Sequence, residues 1–349
     1  MKRLTYISKF SRPLSNEDIE SISRVATKTN KQKNITGVLL CYSGIFFQIL
    51  EVDETNIDNL YQKILQDNRH TEILCLKTES NVRERLFPDW SMNTINLESN
   101  TDLFITPIKT LLKTITESHR ILEKYTQPTL FRIINSGINP LEVPPRKVDK
   151  IILFSDIMSF STFVDKLPVE SVVELANHYC TICTKIITAR GGEVNKFIGD
   201  CVMAYFSAEQ GDKAIQASLE ILIALERLRN SAPESSPLRV LYSGIGLARG
   251  IVIEGNIGSS VKKDYTILGD AVNVAQRLES LTRKVPRYIV FDRDVKNSLN
   301  KSWKLVELGT CQPKGKASPL QIYSIAHPIT RKKSTGERLA RHISNYLDS

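Results

Sequence analysis

The sequence lacks long apolar runs. None of its hydrophobic stretches approaches the roughly 18 consecutive apolar residues that a membrane-spanning helix needs. The first residues, Met1 to Tyr6, are too short in apolar character for a secretory signal and begin directly as a strand. With 41% hydrophobic and 24% charged residues, the composition is typical of globular proteins. We therefore expect a soluble, cytoplasmic protein without a membrane partner.

Cysteine is sparse and scattered, and only Cys180 and Cys183 have the CxxC spacing. These two lie inside a helical pattern, with no second CxxC and no His pair nearby to complete a zinc site. The other cysteines are Cys41, Cys75, Cys201 and Cys311. This distribution excludes a disulfide scaffold, and we expect six reduced thiols.

The sequence also lacks a nucleic-acid module, although its net charge is +9. A basic excess suits an anionic substrate, nucleic acid or a membrane surface. Basic side chains are not arranged as a stripe interleaved with aromatics, so we expect no nucleic-acid partner. Part of the charge lies in 328–349, around Arg331 to Lys333, which we interpret as a solvated basic tail.

At 349 residues the chain is long enough for two or three folding units. Residues 1–100 alternate strand and helix patterns in the order βαββαβ, with one late strand at 90–97. Capping residues at Ser15 to Asp18 open the first helix, and Ser43-Gly44 separates two apolar runs in the manner of a hairpin. This order predicts an α+β, ferredoxin-like sheet with two helices on one face.

Residues 101–147 have the character of a helical linker. Five positions follow the 4-3-4-3 spacing of a short coiled-coil seam: Ile108, Leu112, Ile115, His119 and Leu122. Pairing with a second copy and packing on the chain's own domains would both satisfy this seam. Four prolines between 128 and 145 then predict an irregular connection.

Residues 148–327 form a second mixed α/β domain. Its predicted strands are 150–155, 193–198, 202–206, 238–249, 288–291, 303–308 and 321–326. Its predicted helices are 169–189, 212–229 and 270–282.

Two aspartates in this domain follow apolar, strand-like runs. Asp156 ends one run, and Asp200 lies in a Gly-Asp hairpin turn. Either residue alone is more often a cap or a turn residue. Asn273 and Arg277 are four apart on a predicted helix, so they share one face. Two carboxylates for divalent metal and an Asn/Arg pair for phosphate charge together indicate nucleotide triphosphate chemistry.

The segments Phe154 to Ser161, Lys196 to Asp200 and Tyr265 to Arg277 resemble the catalytic domain of class III nucleotidyl cyclases. The resemblance covers roughly residues 148–327. It implies that Asp156 and Asp200 hold two Mg²⁺ or Mn²⁺ ions, with the carbonyl of Ile157 as a further ligand. It also implies attack of the ribose 3′-hydroxyl on the α-phosphorus, which yields a cyclic nucleotide and pyrophosphate.

The same resemblance assigns reading of the base to Lys196 and Thr266. A lysine can donate to a ring nitrogen of adenine, and a threonine hydroxyl can accept from its amino group. Many adenylyl cyclases have aspartate where this sequence has Thr266, whereas guanylyl cyclases usually carry glutamate at the lysine position. We therefore expect ATP as the substrate and keep GTP as the alternative.

The remaining substrate contacts implied by the resemblance are Asn273 to the ribose, Arg277 to the α-phosphate and Lys316 to the triphosphate. A plain surface loop would equally explain the short charged segment around Lys316. Lys196 and Asp200 lie on one hairpin yet serve different ends of the substrate. The family resolves this with a head-to-tail dimer, so we expect a homodimer through the cyclase domains and linker helices.

In the first domain, Gln48 interrupts an apolar run and Tyr6 lies in the middle of the first strand. Each alone fits a sheet surface. Together with Asn30, Arg69-His70 and the segment Phe87 to Met92, they resemble the BLUF blue-light flavin domain over about residues 1–100. The resemblance implies a bound flavin, either FAD or FMN.

By the same resemblance, Tyr6 donates an electron to the excited flavin, Gln48 relays a proton and Asn30 binds the ring. Trp90 and Met92 would carry the change outward from the late strand. The order of both domains resembles that of bacterial photoactivated adenylyl cyclases. A flavin photoreceptor with a non-catalytic nucleotide-binding domain is the competing hypothesis from a different class.

Overall fold

The computed structural model describes residues 1–97, 105–136, 138–312, 319–326 and 343–347. It forms two compact units, Met1–Val143 and Pro144–Ser349. Both mix helices with a sheet, as the α+β prediction required. None of the helices in the described ranges combines the length and the apolar character needed to cross a bilayer.

The first unit contains one sheet of five strands. The strands are β1 (Lys2–Phe10), β2 (Thr36–Tyr42), β3 (Ile45–Val52), β4 (His70–Glu79) and β5 (Asn93–Asn96). The helices are α1 (Asn16–Gln32), α2 (Glu54–Leu65), α3 (Ile105–Tyr125) and α4 (Pro128–Asn135), followed by a 3-10 turn at Pro140–Glu142. The strand order β4-β1-β3-β2-β5 is ferredoxin-like with one added strand, which confirms the predicted topology.

Local chemistry explains where these elements begin. The Ser15 hydroxyl accepts from the backbone N–H of Asp18, whose carboxylate accepts from the N–H of Ser15, a reciprocal capping box that starts α1. Asp53 caps α2 with its side chain, which accepts from the N–H of Asn56 at 3.1 Å. Ser43 and Gly44 both have positive φ, which suits the two-residue turn between β2 and β3.

Helices cover both faces of this sheet. One face packs on α1 and α2 through Ile19 and Ile57, and the other on α3 through Leu112. Leu112 is buried in its own unit, and His119 stacks on Phe131 with ring centroids 4.8 Å apart. At these two positions the predicted seam packs on the chain's own unit, which is one of the two alternatives that the sequence left open.

The exposed apolar residues of α3 form a different stripe: Ile108, Leu111, Ile121, Leu122 and Tyr125. The connection after α3 also differs from the irregular segment predicted from its prolines. Pro128 occupies the first turn of α4, where its missing N–H has no intrahelical partner to lose. Pro128 therefore marks the start of a helix and not an irregular connection.

The second unit is built on a larger sheet. Its strands are β6 (Arg146–Ile157), β7 (Glu193–Ile198), β8 (Cys201–Ser207), β9 (Ser243–Gly258), β10 (Lys263–Leu268), β11 (Ile289–Asp292), β12 (Leu305–Cys311) and β13 (Leu320–Ile325). Its helices are α5 (Phe160–Lys166), α6 (Val169–Ala189), α7 (Gly211–Ser231), α8 (Asp270–Leu281) and α9 (Arg293–Asn297), with a 3-10 turn at Pro237–Val240.

The strand order is β12-β13-β11-β9-β6-β8-β7, with β10 paired to β9. The central strand β6 is buried on both sides: Ile151 and Leu153 join the core beneath α6 and α7, whereas Ile152 and Phe154 join the core beneath α8. This explains its continuous apolar run. The prediction that β9 begins near 238 is wrong, because a 3-10 turn precedes it.

Helix α8 lies directly on the backbone of β9. A Cβ at Gly246 would lie 2.1 Å from the backbone nitrogen of Glu279 and 2.3 Å from the carbonyl oxygen of Ala275. Only glycine permits the backbones to come this close. The face of α8 opposite to β9 is therefore directed outward.

The end of the described chain also packs on the second unit. Residues 343–347 are helical, Ile343 is fully buried, and the Tyr346 hydroxyl donates to the carbonyl of Ser236. This part of the predicted solvated tail is therefore docked on the core.

Candidate functional site

Two carboxylates meet at one end of the central strands of the second unit. Asp156 is next to last on β6, and Asp200 lies in the turn between β7 and β8, beside Gly199 with φ +64°. Burial, and then the neighbouring Asp156 carboxylate, raise the pKa of Asp200 to about 7. The sheet therefore brings the two predicted metal ligands together.

An ion-paired arginine also reaches this end of the sheet. Nη2 of Arg283 lies 2.5 Å from Oδ2 of Asp156, and Nη1 lies 2.7 Å from Oε1 of Glu279. Burial raises the pKa of Glu279 to about 7. Sequence reasoning missed both residues, since their i, i+4 spacing alone is typical of a helix surface pair.

The second carboxylate oxygen of Asp156, Oδ1, is buried and has no hydrogen-bond partner among the described residues. A buried oxygen without a hydrogen-bond partner destabilises the folded protein unless a cation or another ligand binds to it. Carboxylate oxygens are the ligands that Mg²⁺ and Mn²⁺ prefer. Within the described ranges no group of three or more His, Cys, Asp or Glu side chains could hold an ion, so the pair would need further oxygens. The residues fit a divalent cation shared with a ligand.

Three buried hydroxyls support the strand that carries Asp156. The Ser155 hydroxyl lies 2.7 Å from that of Tyr179 and 3.1 Å from that of Ser243, which are themselves 2.9 Å apart. This closed triangle joins β6, α6 and β9 immediately beside Asp156. Ile157, the next residue, is buried and pairs with Ser243. The carboxylate is thus attached to a rigid part of the core.

The predicted base-reading residues lie in a second group. Lys196 forms an ion pair with Asp264, and the Thr266 hydroxyl donates to Oδ1 of Asn195 at 3.1 Å. Lys196 is on β7 and Thr266 on β10, where Thr266 is buried. The fold thus holds both predicted side chains through partners, Asp264 and Asn195, that were not predicted.

Asn273 and Arg277 both lie exposed on α8. The opposite side of the helix, which includes Val274 and Leu278, is buried against the sheet. In the described chain, no hydrogen bond or ion pair joins either residue to Asp156 or Asp200. Lys316, the remaining predicted substrate contact, lies outside the described residues.

The first unit contains a cavity of about 220 Å³ between its sheet and the helices α1 and α2. Aliphatic side chains form much of its wall, and its polar lining is Tyr6, Thr29, Asn30, Gln48, Lys63, Asp67, Arg69 and His70. Apolar walls with a few polar groups are typical of sites for planar ring ligands. Asn30 is buried there. The residues therefore fit a flavin ring.

A chain of side-chain contacts crosses this cavity. Tyr6 and Gln48 are directly opposite on β1 and β3, and the Tyr6 hydroxyl donates to Oε1 of Gln48. Nε2 of Gln48 in turn donates to the Met92 sulfur at 3.3 Å. Burial raises the pKa of the Tyr6 phenol, which keeps it protonated. Gln48 is therefore satisfied through both ends of its amide.

Trp90 has a different environment. It precedes β5, is 38% exposed and stacks on Phe87 with ring centroids 5.1 Å apart. Its carbonyl accepts from the N–H of Gly37 at 2.8 Å. Met92, rather than Trp90, lines the cavity.

A buried carboxylate anchors the loop that leads to Trp90. Glu51 is fully buried on β3, and its oxygens accept from Nε of Arg3 at 2.7 Å and from the backbone N–H groups of Leu86 and Phe87 at 2.9 and 3.0 Å. Glu51 is three residues from Gln48, so one strand holds both the cavity amide and the loop.

Comparison with known families assigns both units. Residues 1–93 match the BLUF family, described as sensors of blue light using FAD. Residues 143–327 match the adenylate and guanylate cyclase catalytic domain family.

Curated relatives include the photoactivated adenylate cyclase subunit beta of Euglena longa, which is 34% identical over 85% of this chain. The corresponding subunit of Euglena gracilis is 33% identical over the same share. In both cases the chain spans 34% of the relative's length.

Among solved structures, a bacterial light-regulated adenylyl cyclase is 52% identical. The match covers 99% of this chain and 100% of that one, with a TM-score of 0.88. From these matches, the chain belongs to the photoactivated adenylyl cyclase family, in which a BLUF domain precedes a class III nucleotidyl cyclase domain.

Proposed function

We propose that this protein is a blue-light-regulated adenylyl cyclase that converts ATP to 3′,5′-cyclic AMP and pyrophosphate. The observation that carries the proposal is the buried, unpartnered Oδ1 of Asp156 beside Asp200. A carboxylate pair with a buried oxygen that no donor reaches in the described chain suits divalent cations and the triphosphate they accompany. The chain spans only a third of its curated relatives, so its own activity is part of the proposal.

Asp156 and Asp200 would hold two Mg²⁺ or Mn²⁺ ions, with the Ile157 carbonyl as a further ligand. When bound, the ions lower the pKa of the ribose 3′-hydroxyl and offset charge on the triphosphate. The protein's own contribution is to keep the two carboxylates adjacent, on a strand end fixed by the Ser155, Tyr179 and Ser243 hydroxyls. Lys316 is proposed as a further triphosphate contact.

The hydrogen bond of Thr266 favours adenine over guanine. Because its hydroxyl proton is given to Asn195, its oxygen is left to accept. Adenine offers an amino donor at the matching position, whereas guanine offers a carbonyl acceptor. Asp264 holds the Lys196 ammonium, which can donate to a ring nitrogen. A guanylyl cyclase is the second candidate and has no comparable support.

Asn273 and Arg277 would orient the ribose and stabilise charge on the α-phosphate. Both are exposed on α8 without a contact to the carboxylate pair in the described chain, so we infer that they serve the site of a second copy. Exposed Ile251, Ile253 and Leu268 form an apolar strip on β9 and β10 that a homodimer would cover. The exposed stripe of α3 would add a helical part of the same dimer.

A flavin in the cavity of the first unit would confer light sensitivity. When bound, it absorbs blue light and accepts an electron; the matched family's description favours FAD, with FMN as the alternative. Tyr6 would supply the electron and Gln48 would relay the proton. Reversal of the Gln48 amide would exchange its donor and acceptor ends. The hydrogen bond from Gln48 to Met92 would then be lost. Because Met92 directly precedes β5, we propose that this loss transmits the light signal to β5. The stacked side chains of Phe87 and Trp90 would pass it on to the neighbouring loop.

One assay tests both halves of the proposal. Purified protein is incubated with ATP or GTP and Mg²⁺, in darkness and under blue light, while cyclic nucleotide and the visible spectrum are recorded. We expect a yellow protein that makes cyclic AMP faster in the light. Gln48→Leu should keep the flavin and the dark rate but abolish the light response. A colourless protein would refute the sensor, and absence of cyclic AMP in both states would refute the enzyme.

A further inference from the structure

We propose that Arg283 is a positioning residue that holds Asp156 by one oxygen and weakens divalent-cation binding at the carboxylate pair. Its guanidinium bridges two carboxylates, with Nη2 on Asp156 and Nη1 on Glu279. The inference rests on the proposed role of Asp156 and Asp200 as metal ligands.

The geometry divides the two oxygens of Asp156 between different tasks. Oδ2 accepts from Arg283 at 2.5 Å, whereas Oδ1 is buried and has no partner in the described chain. A planar guanidinium fixes the carboxylate plane better than a flexible ammonium would. Arg283 therefore leaves one oxygen, in a fixed orientation, for an incoming ion.

Glu279 keeps Arg283 in this place. It lies within α8, its side chain is only 4% exposed, and it accepts from Arg283 at 2.7 Å. The Arg283 side chain is 37% exposed, so part of it faces solvent. Without the charge of Glu279, the guanidinium would keep Asp156 as its ion-pair partner, and its positive charge would be offset by one carboxylate instead of two.

The charges determine the sign of the effect. Asp156, Asp200 and Glu279 supply three carboxylates, and Arg283 supplies one positive charge that repels a second cation. Replacement by a neutral side chain removes this repulsion. Even at a dielectric constant of about 80, as in bulk water, one unit charge a few ångström from a divalent ion alters the affinity for that ion by about ten-fold.

The test measures Mn²⁺ binding to the full-length protein without nucleotide, from the loss of the free-ion electron paramagnetic resonance signal. All variants are compared at about pH 8, above the pKa of about 7 of Asp200 and Glu279, so that both carboxylates are charged. Arg283→Gln should bind Mn²⁺ about ten-fold more tightly than the wild type. Glu279→Gln should bind it about ten-fold more weakly, because it removes one negative charge. Arg283→Lys, which keeps the charge, should stay within about three-fold of the wild type.

Arg283→Gln and Glu279→Gln are thus expected to change the affinity for Mn²⁺ in opposite directions. If Arg283 had a purely structural role, both substitutions would weaken binding. Unchanged or weaker binding by Arg283→Gln would overturn the inference. If that variant failed to fold, unchanged or tighter binding by Glu279→Gln would overturn it instead. Wild-type protein that bound no Mn²⁺, or an Asp156→Ala variant that bound it equally well, would refute the metal site itself.

Discussion

Glu51 in the first unit and Asp156 in the second are both carboxylates on a strand of a sheet, yet their surroundings are opposite. Glu51 is fully buried and accepts from Arg3 and from two backbone N–H groups. Asp156 has one oxygen on Arg283 and one buried oxygen without a partner in the described chain. Its neighbour Asp200 is another carboxylate, which disfavours ionisation of the pair.

The difference separates a structural carboxylate from a functional one. A buried charge whose acceptor sites are filled by the protein stabilises one conformation and has little capacity left for a ligand. A pair of like charges with an empty oxygen destabilises the unliganded protein and is stabilised when a cation arrives. We therefore expect that removal of the Glu51 carboxylate lowers the free energy of unfolding, whereas removal of the Asp156 carboxylate lowers cyclase activity.

Asp156→Ala should have the largest effect. Loss of one of two metal ligands should reduce cyclase activity by about 1,000-fold or more, because the charge of the triphosphate would be left uncompensated. The flavin spectrum should be unchanged, since the cavity belongs to the other unit. The rate of cyclic AMP formation and the visible spectrum are the measurements. Asp294→Ala, which changes an exposed aspartate of α9, should keep full activity; equal losses in both variants would contradict the assignment.

Glu51→Gln should mainly cost stability. Weakening the bond to Arg3 and leaving one of two backbone N–H groups without a carboxylate should lower the free energy of unfolding by about 3 kcal/mol. Denaturant unfolding followed by flavin release measures this. Glu72→Gln is the control, because it breaks an exposed ion pair with Lys9 and should cost less than about 1 kcal/mol. Equal costs in the two variants would remove the structural half of the contrast.

Arg277→Ala tests the outward face of α8. Loss of one positive group at the developing charge typically lowers kcat by about 100-fold. Because no hydrogen bond or ion pair joins Arg277 to the carboxylate pair in the part of the chain that the structure describes, Mn²⁺ binding without nucleotide should be unchanged. Arg293→Ala, an exposed arginine on α9, serves as the control. When the Asp156→Ala protein is mixed with the Arg277→Ala protein, part of the activity should return if the two residues of one site come from different copies.

Periodic segments were predictable from the sequence. The helix Val169–Ala189 has the predicted bounds, because its apolar spacing and the following Gly191 mark both its length and its end. The sheet order of the first unit followed from the order of its strands and helices. Asp156 and Asp200 could be paired because each follows a recognisable strand.

Features that depend on distant contacts were not predictable. Arg283 and Asp156 are 127 residues apart, and nothing local to either indicates the other. Strand β10, which pairs with β9 off the main sheet path, has a mixed polar pattern that does not indicate a strand. Leu112 satisfies a coiled-coil spacing and a core position equally well, so only the packing of α3 on its own sheet decides between them.

The smallest effect should come from Asp200→Asn in protein stripped of metal with a chelator. The raised pKa of Asp200, about 7 against an unfolded value near 3.9, means that the folded protein holds a proton that the unfolded chain releases. Stability from this group is therefore complete below about pH 4 and lost as pH rises to about 7. An uncharged asparagine has no such loss.

At pH 8 the Asp200→Asn variant should consequently be more stable than the wild type by about 1–2 kcal/mol, after allowance for the partial exposure of the site. At pH 4 the two proteins should unfold alike. Added Mn²⁺ should reverse the order at pH 8, since only the wild type keeps both ligands. Thermal unfolding at the two pH values, with chelator or with Mn²⁺, measures all three differences. A variant less stable than the wild type in chelator at pH 8 would place Asp200 with Glu51, as a carboxylate that the fold itself requires.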